Sequence, residues 1–109
     1  LHPIIYQRKN HKVFEKNVSS NIDKINKIIR AYFKAVAATG RATIDMMERL
    51  CSDKNNPELY VPTFKNNYSQ MKLDGPKSHG KVFEDDGETV TIWHEVEDTL
   101  MKYKSSFCD

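Results

Sequence analysis

Four histidines, two cysteines and a run of carboxylates are the side chains that could do chemistry, and their spacing decides what they can do. His2, His11, His79 and His94 lie in four separate contexts, with no two at metal-ligand spacing on one helix, so no metal site is expected. Cys51 and Cys108 have neither a neighbouring histidine nor a C-x-x-C partner, which leaves nothing to lower a thiol pKa for nucleophilic attack. They are even in number and could close one disulfide; free thiols are the other reading. Ser78-His79 lacks the G-x-S-x-G elbow that holds a serine in reach of its base. Glu84, Asp85, Asp86 and Glu88 offer clustered oxygens to a hard cation, but the alternation and closing glutamate of a calcium loop are absent, so they read as a solvated loop. Gly75, Gly80 and Gly87 are not placed to cradle phosphate. No catalytic residue, metal or cofactor is therefore expected, and the chain reads as non-enzymatic.

Cationic side chains carry more content. Lys24, Lys27, Arg30, Lys34 and Arg41 are distributed along one helical stretch, and Lys27, Lys34 and Arg41 recur every seven residues, which places them in one broad stripe. Each basic residue near an anionic membrane is worth about 1 kcal/mol, so this stripe is expected to contact phospholipid headgroups. Charge is divided along the chain as well: residues 1–50 hold ten Lys/Arg against four Asp/Glu, and residues 51–109 hold seven against eleven. A basic half suits an anionic partner, although a charge run also serves as a plain solvated face. Tyr32, Phe33 and Trp93 sit on or beside apolar stripes, where they serve as core and not as base-stacking platforms, so nucleic acid is not expected.

The elements that must position these residues are read from periodicity. Val18, Ile22, Ile25, Ile29, Phe33, Val36, Thr43 or Ile44, Met47 and Leu50 recur mostly three and four apart, with one longer step after Val36, which predicts one long amphipathic helix over about 13–51. Gly40 would lie in its interior among Ala35, Ala37, Ala38 and Ala42, a small-residue patch that suits a tight helix crossing, with gentle bending as the alternative. Asn55, Asn56, Pro57 and Pro62 stop the pattern, and residues 52–87 are expected to be rich in loops, with a short helix after Pro62 and Thr63 near its cap. Thr89, Ile92, Trp93, Val96, Leu100, Tyr103 and Phe107 restore the spacing, predicting a helix over about 88–107. The expectation is an all-α chain, residues 1–109 forming a single helical domain or a fragment of one, in a helical bundle or coiled-coil assembly. A chain of this size buries little surface alone, so Ile25, Ile29, Phe33, Val36 and Met47 are expected against a partner helix, in a homodimer or on a helical protein partner.

No apolar run is long enough to span a bilayer and no amino-terminal signal segment is evident, so a cytoplasmic protein peripheral to the membrane is expected. Because it starts at Leu1, the chain reads as a processed product or a fragment, and a secreted alternative stays open. Asn17-Val18-Ser19 and Asn67-Tyr68-Ser69 both fit the glycosylation acceptor pattern.

Ile22-Asp23-Lys24-Ile25-Asn26-Lys27-Ile28-Ile29-Arg30 resembles the opening of the first core helix in BAR domains that precede PH and RhoGAP modules, and the stretch Ala31 to Gly40 is similar to inverse-BAR helices. The likeness covers about 50 residues. It implies a coiled-coil subunit that dimerises into an arc with basic side chains reading membrane curvature, and it makes residues 88–107 the second helix. The chain departs from the family in length, about half that of a complete subunit, and in the long loop between residues 53 and 86. Two rival functions stand beside it: a secreted, cytokine-like helical ligand stabilised by Cys51–Cys108, and an adaptor that docks onto a protein partner.

Overall fold

The structure, a computed structural model, describes residues 11–75, 80–102 and 104. Among them are four helices and three strands: α1 (His11–Thr39), β1 (Ala42–Thr43), α2 (Ile44–Cys51), α3 (Phe64–Gln70), β2 (Phe83–Asp85), β3 (Thr89–Ile92) and α4 (His94–Lys102). This is a mixed arrangement of helices and an antiparallel sheet, and the all-α expectation is overturned, together with the helical bundle, the coiled coil and the BAR-like arc that depended on it.

Gly40 is the residue that breaks the expected long helix. It adopts φ +88°, a left-handed conformation available to glycine at little cost, and its N–H bonds the carbonyl of Val36 at 2.8 Å, closing the last turn of α1 in the manner of a helix C-cap. No atom lies within 4 Å of where a Cβ would stand. Gly40 is thus a terminator, not the site of a tight helix crossing. The chain then extends through β1, where Thr43 (φ −118°, ψ 159°) caps α2 by accepting the Met46 N–H on its hydroxyl, as N-cap threonines do.

The second misread element lies between residues 83 and 92. Asp86-Gly87 turns the chain, with Asp86 Oδ1 accepting the N–H groups of Glu88 and Thr89 at 3.0 and 2.8 Å. Gly87 leads the two-residue connection at φ +93°, which suits a hairpin turn with glycine first. Phe83 pairs with Ile92, Glu84 with Thr91 and Asp85 with Val90; on the other side Ala42 pairs with Val90 and Thr43 with Thr89, giving the sheet order β1-β3-β2. The β-branched run Thr89-Val90-Thr91-Ile92 supplies this strand, so the expected helix from residue 88 is replaced by half a hairpin followed by the shorter α4.

Instead of lining a seam for another subunit, α1 is the spine of the core. Ile22, Ile25, Ile28, Ile29, Ala31, Phe33 and Ala35 are all buried, a set too wide around the helix for a single stripe. α2, α3 and β1 pack on it, and the Phe83 ring, itself fully buried, lies 5.3 Å from Tyr32 and 5.9 Å from Tyr68 between ring centroids. The residues expected on a partner helix are thereby corrected: Ile25, Ile29, Phe33 and Met47 are buried and Val36 is packed against the same core, all within this chain.

Candidate docking surface

The five cations expected on a membrane-facing stripe do not share a face free for headgroups. Lys27 pairs with Asp23 at 3.2 Å and reaches the Tyr60 carbonyl at 3.4 Å. Arg30 donates to the Glu58 carbonyl at 2.6 Å. Both therefore tie the Ser52–Thr63 connection onto α1. Arg41 lies beyond the helix end, where it donates to Thr89 Oγ1 at 3.2 Å and approaches Glu88 at 3.6 Å. Lys24 is half-buried and Lys34 is exposed. The seven-residue recurrence fails because Gly40 ends the helix before Arg41, so Lys27, Lys34 and Arg41 do not form one helical stripe.

Other side chains named from sequence have specific places. Cys51 is a free, fully buried thiol, and desolvation pushes its pKa up to about 12, with Lys27 opposing weakly; Cys108 lies outside the described residues. Asn67 is 5% exposed and its amide donates to the carbonyl and hydroxyl of Thr63 at 2.9 and 2.7 Å, which removes it as a glycosylation acceptor in the folded chain. Asn17's side chain, His2, His11's side chain and His79 lie outside the described residues. His94 is exposed beside the Trp93 ring. Among the described residues no group of three or more His, Cys, Asp or Glu is placed to hold a metal ion, and no helix is long and apolar enough to cross a membrane.

A joint that the motif reading missed fixes the hairpin to the helices. Tyr68, 3% exposed, donates its hydroxyl to Asp85 Oδ2 at 2.6 Å. Lys72 reaches the same oxygen at 3.0 Å while its ammonium lies 5.1 Å from the Tyr68 ring centroid. Gly87 N–H donates to Asp85 Oδ1 at 3.0 Å. The Tyr68 hydrogen bond, with help from Lys72 and Gly87 and against some desolvation, holds the Asp85 carboxyl below its usual range. Burial first, then Asp85, pushes the Tyr68 phenol up. The joint sets where the hairpin sits relative to α3.

Two concavities flank the hairpin tip. One, of about 470 Å³, is lined by Thr39, Arg41, Thr43, Ile44, Asp45, Met46, Gly87 and Glu88; the other, of about 210 Å³, by Glu84, Asp85, Asp86, Thr89 and Thr91. The larger is a partly apolar groove, with Ile44 and Met46 in its lining beside the exposed carboxylates of Asp45 and Glu88. No family model, curated protein or solved structure matches the chain.

Proposed function

We propose that this chain is a non-enzymatic docking module, an adaptor whose hairpin side engages a protein partner. The order helix, strand, helix, helix, strand, strand with sheet order β1-β3-β2 has the connectivity of a winged helix-turn-helix domain, with α2 and α3 as the helix pair and the β2–β3 hairpin as the wing. Twelve residues, Ser52–Thr63, separate the two helices, where a DNA-reading helix pair has a turn of about 3–4. Connectivity does not choose a ligand; charge does. A domain that binds nucleic acid aims lysines and arginines at phosphates.

The observation that carries the reading is the charge of the wing. Its exposed ionic side chains are Glu84, Asp86 and Glu88; Lys81 pairs with Glu84, Arg41 with Glu88 and Lys72 with Asp85, so among the described residues no cation on the wing is left to meet a phosphate and Asp86 has no cationic partner among these pairs. Phosphates would be repelled there, and a protein surface carrying lysine or arginine would not.

The test is fluorescence anisotropy at low salt, about 50 mM, where phosphate binding is at its tightest. Labelled duplex DNA, single-stranded DNA and RNA are compared with arrays of basic and acidic peptides. Basic peptides binding, with no nucleic acid held more tightly than about 10 μM, is the expected result. Salt-sensitive duplex binding abolished by Lys65→Glu on α3 would replace this reading with a nucleic-acid one.

A further inference from the structure

The two concavities lie on either side of the hairpin tip and adjoin where one lining residue of each meets the other. Arg41 lines the larger one and donates to the hydroxyl of Thr89, which lines the smaller one, at 3.2 Å. The larger has an apolar floor: Ile44 and Met46 are packed against the core yet only partly buried. Its rim is anionic, the Asp45 side chain being 68% and that of Glu88 73% exposed, and Glu84 and Asp86 line the smaller concavity beyond. From Val82 to Met101 the chain has seven Asp/Glu and no Lys or Arg.

Two of the cations already on this rim are loosely held, while a third, Lys81, only 22% exposed, meets Glu84 at 2.9 Å. Arg41 meets Glu88 at 3.6 Å and Arg49 meets Asp45 at 2.9 Å, with all four side chains more than half exposed. Exposed pairs of this kind contribute little, so cations arriving on a partner can exchange for them. The apolar floor supplies what a purely ionic shelf lacks, a place for an anchoring side chain to leave water.

We propose that this surface docks a Lys/Arg-rich segment of a protein partner, one apolar side chain of which seats against Ile44 and Met46 while its flanking cations meet Asp45, Glu84, Asp86 and Glu88. The inference rests on the protein-docking reading and adds the site and the chemistry of the occupant. Overlap with Arg41 makes the segment cross the hairpin tip from the groove to the outer sheet face, where Thr91 is exposed opposite Glu84.

The experiment uses the full chain and a 12-residue peptide with one leucine among four Lys/Arg. Peptide is titrated into protein labelled at isoleucine and methionine methyls and followed by NMR. Shifts at the Ile44 and Met46 methyls are expected, with a dissociation constant below about 1 mM that rises at least tenfold in Glu84→Lys/Glu88→Lys, a variant changed only at exposed positions. Replacing the leucine by serine should weaken binding severalfold. Binding that shifts other methyls but leaves these two unmoved would overturn the groove while leaving protein docking intact. So would methyl shifts that grow with protein concentration in the absence of peptide, since a second copy would then be the occupant. No binding of the peptide would overturn the groove outright, and the nucleic-acid titration decides the docking reading separately.

Discussion

Tyr68→Phe removes one oxygen from the joint between α3 and the hairpin, and what that oxygen touches sets the cost. The hydroxyl donates to Asp85 Oδ2 at 2.6 Å from a side chain only 3% exposed. A hydrogen bond to a charged group contributes about 1.5–3 kcal/mol. Lys72 and the Gly87 N–H remain on Asp85 in the variant, so the carboxylate is not orphaned and the lower end, about 1.5–2 kcal/mol, is expected. Asp85→Ala should cost more, about 3 kcal/mol, because it leaves the phenol, the ammonium and the turn N–H without their shared acceptor. The sign of the pH dependence follows from Asp85, whose pKa is lowered on folding. Its contribution is present above the unfolded value, about 4, and is lost as pH falls through the folded one. Urea unfolding of wild type, Tyr68→Phe, Asp85→Ala and the double variant at pH 7 and pH 3 measures this, with the coupling taken from the double-mutant cycle. A coupling at pH 7 below about 0.5 kcal/mol, or one that does not shrink at pH 3, would refute the reasoning.

Three further outcomes follow from local geometry. Gly40→Ala should destabilise by about 1–2 kcal/mol through its backbone alone, since φ is +88° and nothing lies within 4 Å of the added methyl; an unchanged melting temperature would mean that α1 does not end as described. Thr43→Ala should cost about 1 kcal/mol by freeing the Met46 N–H that the hydroxyl accepts, while Thr43→Ser should restore most of it in the same thermal melt. Cys51, buried with its pKa pushed up to about 12, should react with a thiol reagent only at the rate of unfolding between pH 7 and 9, and labelling as fast as that of a free peptide thiol would contradict its placement.

Legibility differed by element for physical reasons. The stretch Ile22 to Val36 is readable because a helix buried on several sides still shows three-four spacing, and α1 is there; what periodicity could not say is that Ile28, Ala31 and Ala35 are buried as well. That fuller burial distinguishes a helix covered by its own chain from one with a stripe left for a partner. Crossing Gly40 was the costly step. Ile44, Met47 and Leu50 sit on a separate helix whose phase happens to continue the pattern of α1, so counting ran across a break that a glycine followed by Arg-Ala-Thr marks with a cap residue. Thr43 has the chemistry of an N-cap, and reading Gly40 as a C-cap with Thr43 as the next N-cap gives both boundaries.

The surface at the hairpin tip was partly legible and for the opposite reason. Glu84, Asp85, Asp86 and Glu88 stand out as carboxylates, but as a string they carry no information about which are consumed by the fold. Pairing decides it. The register places Glu84 across from exposed Thr91 and Asp85 across from buried Val90, so alternate side chains of one strand go to opposite faces. Asp85 is thereby spent on Tyr68 and Lys72, whereas Glu84 and Asp86 line the outer concavity with Thr89 and Thr91, Glu84 beside Lys81 and Asp86 holding the turn through one of its two oxygens. Nor could spacing bring Ile44 and Met46 to Gly87 and Glu88, more than 40 positions away in the chain. That encounter requires β1 to pair with β3, where Thr43 lies opposite Thr89 and the Ile44 N–H bonds the Glu88 carbonyl at 2.9 Å. The same strand pairing that disqualifies a helical bundle therefore assembles the groove, and a substitution that uncouples β1 from β3 should abolish peptide binding before it exposes the core around Ile29.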